Sequence, residues 1–489
     1  MASFTNLNLD SYKDKVHACF IGKNIGGTMG APYEGVREIL DVKGYATDAN
    51  VVLPNDDLDL QLVWLYAVEK LGCQRIDASI LGEFWLSYIV PHWNEYGIGK
   101  INLERGLFPP LSGDYMNDWN NSNGAWIRTE VWACLAPGCP DVAARCAIED
   151  AKVDHGSGEG TYAASFVAAM QSAAFTLGDL RAAINVGLSK IPADSRTADS
   201  IRTVLECYES GKDAMETRNI IQQRNSDIGN GWFEAPSNLA YVIIGLVFGE
   251  GDFKKSMLTA INCGDDTDCT AATVGATLGI LGGTKAIPDD WSAHIGDDIV
   301  TISINRGRYG RTLPSTCTEL TERIVRQAPG VLLANRTAVQ LSSEPELIPD
   351  GLYDEYISDK YFKHVLDTVK PYCMTFSAAA LTATVRLDGG PDITPLSEKK
   401  IHIHFKNDVE LLDDNLYNLS FRWWLPDGFS VEGKRGITMM HRNAHQTALA
   451  DEDFVIRIGE NVERENRVVL EVSAMSRPTP LYIPIVLLG

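Results

Sequence analysis

The chain has 489 residues, 45% of them hydrophobic and 22% charged, enough for two or three domains with ordinary cores. A formal net charge of −22 disfavours nucleic-acid backbones and anionic membranes, and a phosphate-bearing ligand would need local positive charge or a metal. No apolar run reaches membrane-spanning length, the polar start Met1–Asn6 lacks a signal peptide, and the ten cysteines show no Cys-x-x-Cys, so a reduced cytoplasmic compartment is expected.

The spacing predicts a helix over 12–30. Gly22, Gly26 and Gly30 form a smooth stripe along it. Glycine is costly inside a helix, and a stripe of it signals another backbone packed close. Glu34 follows in a loop after Pro32. Pro54-Asn55-Asp56-Asp57 then opens a second helix, with Leu60, Trp64, Ala67, Val68 and Leu71 at helical spacing and Gly72 as its stop.

Residues 73–135 read as helices broken by an aromatic, Asn-rich loop holding Tyr115, Trp119, Asn120, Asn121, Asn123 and Trp126, with Trp93 ahead of it. Flat rings among amides suit a sugar or a base, while Trp126 and Trp132 serve equally well as helix core. Arg128 in this stretch meets a carboxylate or a phosphate, or pairs structurally. His155 precedes a glycine turn and an alanine-rich helix from about 161 to 177, where free N–H groups accept anions. Glu159 is a capping acid or a substrate contact. Polar helices over 195–225 lead to a turn at 227–232 that carries Trp232, then to an apolar helix over 237–248.

In Asn262–Thr270, three carboxylates, Asp265, Asp266 and Asp268, follow Gly264. A small-residue helix face comes next (Ala271, Ala272, Gly275, Ala276, Gly279), and it is expected to pack on the first glycine stripe. Such crowded acids are tolerable if solvated, if they cap the helix, or if a cation binds between them. Should the 55–57 and 265–268 helix starts meet, they form an oxygen-rich cage for a hard cation such as Mg²⁺ or Mn²⁺. Residues 285–345 read as further helices. From about 370 the period changes from 3.6 to 2. Thr382–Leu387, His402–Phe405, Leu419–Trp424, Phe454–Ile458 and Val468–Val472 then suggest a β-sandwich. His402 and His404 share one strand face, and cross-strand packing is the expected role rather than metal binding.

Five blocks occur in a fixed order: Gly22…Gly30 with Pro32-Tyr33-Glu34, Asn55-Asp56-Asp57, Asn123-Gly124-Ala125-Trp126-Ile127-Arg128, His155-Gly156-Ser157-Gly158, and Gly264 with Asp266-Thr267-Asp268-Cys269. In these the chain resembles the ADP-ribosylglycohydrolases. The resemblance implies a mainly α protein. An orthogonal all-α catalytic bundle over 1–345 would precede the β-sandwich of 370–489, to which the resemblance does not extend. It implies metal-dependent hydrolysis of a glycosidic bond to ADP-ribose or a related ribosyl group, small or protein-linked. Hydrolysis of another furanoside, or a non-catalytic binding role, stays open. Asn55, Asp56, Asp57, Asp266, Asp268 and Cys269 are then the metal ligands for Mg²⁺ or Mn²⁺, as one ion or two. Asp57, Asp268 or Glu34 takes the proton. Asn123, Gly124, Arg128, His155 and Glu159 position substrate, together with the exposed-type Trp232. The chain departs from the family at Asn55, Leu58 and Cys269, where threonines are expected. Asn55 still offers a carbonyl oxygen. At Cys269, either Thr270 takes over, or the sulfur selects a softer ion, or one metal site is incomplete and Cys269→Thr would rebuild it.

Overall fold

The computed structural model describes residues 4–304, 313–358, 362–378, 381–407, 417–439, 448–475 and 477–489. Its organising helix is α1, Leu9–Gly30, which starts when the Asn8 side chain accepts hydrogen bonds from the Asp10 and Ser11 amides. Helix α1 is buried over most of its length and lies against the helix Thr267–Gly282. A Cβ on Gly22 would sit 2.3 Å from the Gly275 oxygen, one on Gly26 2.3 Å from the Ala271 carbonyl carbon, and one on Gly30 2.3 Å from the Thr267 oxygen. The two small-residue faces therefore do pack backbone to backbone. Residue numbers rise along α1 as they fall along its partner, so the pair is antiparallel. The end of α1 consequently meets the acidic start of the other helix. Gly26→Val should cost about 3 kcal/mol or more in denaturant unfolding, because neither backbone can give way. Gly330, in the helix Cys317–Ala334, has nothing within 4 Å of its would-be Cβ. Gly330→Ala should instead gain roughly 0.5–1 kcal/mol.

Helix α2, Asp56–Leu71, is capped by Asn55, whose Oδ1 accepts from the Asp57 amide at 2.8 Å. It ends at Gly72, which has a positive φ of 81°. Gly27 of α1 lets Asn55 come in, since a Cβ there would lie 1.7 Å from the Asn55 Nδ2. The predicted alanine-rich and apolar helices run over Glu159–Leu177 and Ala235–Gly249. Of the helices expected over 285–345, Asp289–Ile295 and Cys317–Ala334 are present, and 305–312 lie outside the described residues. One element escaped the sequence reading. Strand β1 (Thr5–Asn8) pairs in parallel with β2 (Val339–Ser342), tying the two ends of the helical part together.

Short helices at Leu352–Ile357 and Lys363–Leu366 lead into the strand-rich part. Its strands are β3 (Cys373–Ala378), β4 (Leu381–Leu387), β5 (Glu398–Asn407), β6 (Tyr417–Trp424), β7 (Ser430–Glu432), β8 (Gly436–Met439), β9 (Leu449–Arg457), β10 (Glu465–Ala474) and β11 (Leu481–Leu488). They form a sheet of order β3-β4-β5-β9-β7 and another of order β11-β10-β6-β8. Alternate residues such as Val385, Ile403, Ile456, Leu470 and Ile483 turn inward to one shared core. Phe405 of one sheet stacks on Phe421 of the other at 5.4 Å. This part seats on residues 107–115 of the helical part. Phe108 meets Phe376 at 4.9 Å, and the Tyr115 hydroxyl donates to Asp392 at 2.6 Å. His402 and His404 pair across strands with Asp453 and Asp451, acids of β9 that the sequence pattern did not connect to them.

Candidate metal centre and its cleft

The antiparallel contact fixes where the acids meet. Beyond Gly30 the chain runs alongside the 262–268 loop: the Gly35 amide donates to the Asp265 carbonyl at 2.8 Å, and the Asp265 amide to the Val36 carbonyl at 2.7 Å. The Thr267 hydroxyl donates to the Gly30 carbonyl at 2.8 Å. These bonds set Glu34 over the start of the 267–282 helix, while α2 arrives through the Gly27–Asn55 contact. Two sets of side-chain ligand atoms result, each with its members within 4.8 Å of one another: Glu34, Asp266 and Asp268 in one, and Asp57, Asp268 and Cys269 in the other. Asp268 belongs to both. The first set, with Cys269 and Asp56, lies on a cleft of about 590 Å³ whose walls carry Trp93, Tyr96, Ser122, Asn123 and Phe233.

The donor atoms suit a cation. Both carboxylate oxygens of Asp57, one of Asp266 and one of Asp268 are buried without a hydrogen-bond partner. Buried carboxylate oxygens are ordinarily satisfied, so several orphans in one place call for a ligand. The proton affinities carry the same strain. The Asp268 charge, with burial second, pushes Glu34 up to about 8. Burial, then Asp268, pushes Asp56 up to about 6. Burial drives Asp57 and Asp266 well above the carboxylate range and raises the Cys269 thiol. A divalent ion would reverse these directions by supplying the missing opposite charge.

A family model for ADP-ribosylglycohydrolases matches residues 8–330, the stretch that holds every residue of these two sets. The chain belongs to the ADP-ribosylglycohydrolase family. No curated protein sequence matches it. Among solved structures, an ADP-ribosylglycohydrolase-related protein complex is 20% identical, with 65% of this chain and 99% of that one covered, at a TM-score of 0.43. Two others align with under a quarter of this chain. One is a FixG-related protein from Vibrio parahaemolyticus, at 8% identity, 23% of this chain, 98% of that chain and TM-score 0.18. The other is the GAE domain of GGA2p from Saccharomyces cerevisiae, at 15% identity, 24% of this chain, 96% of that chain and TM-score 0.16.

Within this family member, the remaining candidate residues take several places. Asn55 spends its Oδ1 as the α2 cap, and Asp56 accepts from the Tyr96 hydroxyl at 3.0 Å on the cleft wall. Thr270 donates to the Thr267 carbonyl, so it is Cys269 that turns toward Asp57 and Asp268. Asp265 accepts from the Phe233 amide and from Asn238, and its role is to shape the loop. Asn123 and Gly124 do line the cleft. The Asn123 amide holds Asp266 at 2.6 Å and is itself held by Trp126, so it orients a metal-set carboxylate.

Arg128, His155, Glu159 and Trp232, expected as substrate contacts, lie off the cleft wall. Arg128 is fully buried and pairs with Asp150 at 2.9 Å and Asp154 at 2.8 Å. Burial works to raise Asp154, yet Arg128 and His155 hold it down at about 2. Arg128→Met would strand both aspartates and should cost about 3–5 kcal/mol in denaturant unfolding. His155, also fully buried, sits between Asp154, 3.0 Å from Nδ1, and the Ser122 hydroxyl, 3.0 Å from Nε2. It supports Ser122, which reaches the cleft. Glu159 accepts from the Arg196 and Thr197 amides and so caps the next polar helix. Trp232 stacks on Phe233 at 5.2 Å, and Phe233 is the ring on the cleft wall. Burial and ring direction carry no sequence signal here, because partners such as Asp150, Ser122 and Thr197 lie elsewhere in the chain. Sequence reasoning also missed the buried network of Lys23, Gln61 and Glu130 beneath Asp57. Lys23 is one of several charged residues along α1, so nothing in the sequence singled it out.

Proposed function

We propose that this chain is a divalent-metal-dependent hydrolase that cleaves a glycosidic bond to ADP-ribose or a related ribosyl group. The observation that carries the reading is Asp268, shared by two converging ligand sets whose buried oxygens lack partners at the cleft floor. Bound Mg²⁺ or Mn²⁺ would supply Lewis acidity and orient water and sugar hydroxyls. The chain's own residues do the rest. Asn123 holds Asp266 in place, and Tyr96 holds Asp56. Glu34 stands exposed at the rim, where it can exchange a proton with water or substrate. Trp93 and Phe233 offer ring faces to a base or a sugar, and Ser122 offers a hydroxyl. The ten thiols suit a reducing compartment such as the cytoplasm.

One observation favours a second substrate reading, another furanoside in place of ADP-ribose. Among the described residues, the cleft wall carries no lysine or arginine, because Arg128 is committed to its aspartates. A diphosphate would meet no fixed cation there. The deciding experiment offers purified protein with Mn²⁺ an ADP-ribosylated peptide and a chromogenic ribofuranoside. Released sugar is followed by mass spectrometry, with and without EDTA. Metal-dependent release from at least one ribosyl compound is expected, and the ranking selects between the readings. No release from any of them by metal-loaded protein would favour a non-catalytic binding role.

A further inference from the structure

The cavities at the seat of the strand-rich part and on its outer sheet face, and the exposed His–Asp pairs, carry less than one acid of the cleft that the mechanism leaves unused. Glu34, Asp56, Asp266 and Asp268 reach the cleft from the acidic helix starts and the loop beside them. Glu95 reaches it from elsewhere, the first turn of the helix Asn94–Glu104, and it belongs to neither ligand set. A first-turn acid serves its helix equally well facing water, but Glu95 is turned inward and only 7% exposed. Room for it comes from the turn at Asn123-Gly124, since a Cβ on Gly124 would lie 2.2 Å from Glu95 Oε1. The Ser122 hydroxyl meets the same carboxyl and is 3.0 Å from His155 Nε2. That Nε2 is 4.0 Å from Glu95 Oε1, and His155 Nδ1 lies 3.0 Å from Asp154, which Arg128 grips. The carboxyl is therefore fixed on the cleft wall by groups that have no part in holding a cation. Burial raises its proton affinity against the opposing pull of His155, and Asp154 adds to the rise.

Resting on the hydrolase reading above, we infer that Glu95 is the catalytic acid of this cleft, the group that protonates whatever leaves the ribosyl carbon. Water adds to the anomeric carbon. The bond from that carbon to the leaving oxygen or nitrogen breaks, its electron pair stays on the leaving atom, and that atom takes the Glu95 proton. The proton that the water loses goes to Glu34 or to solvent, and solvent returns one to Glu95. One water is consumed and nothing is oxidised. The acid is needed because an alkoxide or an amine anion is too basic to depart unprotonated, whereas a nitrophenolate departs without help. Gly124 serves the acid by leaving space for it, since a side chain there would push the carboxyl aside.

The test is the dependence of rate on the leaving group. Mn²⁺-loaded protein is offered ribosyl compounds that release 4-nitrophenol, phenol or an alkyl alcohol, both as plain ribofuranosides and as ADP-ribosyl conjugates, and kcat and kcat/KM are measured. In the wild type the rate should change by less than about tenfold along the series, because the leaving atom is protonated as it departs. Glu95→Gln keeps the size of the side chain but has no acid proton. It should lose at least about 100-fold in kcat/KM on the alkyl compound, and the loss on the 4-nitrophenyl compound should be at least about tenfold smaller. Its Mn²⁺ affinity, read by calorimetry, should match that of the wild type. An equal loss on every leaving group, no loss on any, failure of the folded variant to bind Mn²⁺, or a wild-type rate that falls steeply with leaving-group basicity would each overturn the inference and leave the hydrolase reading standing. No hydrolysis of any compound by metal-loaded wild type would remove both. The wild-type series needs no substitution, so the inference is exposed even if Glu95→Gln does not fold.

Discussion

Asp268→Ala should weaken Mn²⁺ or Mg²⁺ binding by at least about 100-fold, and the metal-free variant should melt no lower than the metal-free wild type. Residues that merely support metal ligands cost about 10–100-fold when changed, and Asp268 is itself common to both ligand sets. The second half of the result separates a metal ligand from an ordinary buried acid. In the metal-free protein Asp268 is a source of strain, since its charge is the largest influence raising Glu34 and the second largest raising Asp56. Removing it relieves that repulsion. A structural aspartate would instead lower the melting temperature when lost. Calorimetric titration paired with thermal unfolding in EDTA reads both quantities. Unchanged metal affinity, or a marked loss of metal-free stability, would contradict the assignment.

The stability gained from the metal should grow as pH rises. In the folded, metal-free protein Glu34 is held up to about 8 and Asp56 up to about 6, against ordinary values of 4.5 and 3.8. Groups raised in this way favour the folded state while protonated. Their contribution is complete below the ordinary values and is lost as pH climbs through about 6 and then about 8. Metal-free protein should therefore become progressively less stable between those limits. With a cation the sign inverts, because the ligands must be deprotonated to bind it. At a free ion concentration of a hundred times Kd, binding to the folded state alone adds about 2.7 kcal/mol. Melting curves with EDTA and with Mn²⁺, recorded across this range, should diverge as pH rises. Parallel curves would mean that these acids do not face a cation.

The parts of the protein governed by periodicity and close packing were legible in the sequence. The glycine stripes at Gly22–Gly30 and Gly275–Gly279 announced a backbone contact, and that contact draws the acidic helix starts together. The switch from period 3.6 to period 2 located the strands. What stayed hidden was the direction of polar side chains. Arg128, His155 and Glu159 occur in family motifs, yet each is held by partners, Asp154, Ser122 and Thr197, that adjacency in sequence does not supply. At the 232–233 turn a shift of one residue decides which ring faces the cleft, and a turn imposes no period to read. Lys23 was invisible for the opposite reason. Its partner Glu130 lies 107 positions away, and only the fold shows that the pair is closed beneath Asp57. Thr5–Asn8 was overlooked because a short strand gains its meaning from Val339–Ser342, at the far end of the helical part.

The central claim is that Glu34, Asp266 and Asp268, brought together by the antiparallel contact of α1 with the 267–282 helix, hold a divalent ion at the floor of the cleft. Crystals grown with Mn²⁺ and measured at the manganese absorption edge test it directly. An anomalous peak within coordination distance of those three carboxylates is the predicted result. An empty acidic cluster beside manganese bound elsewhere would contradict it.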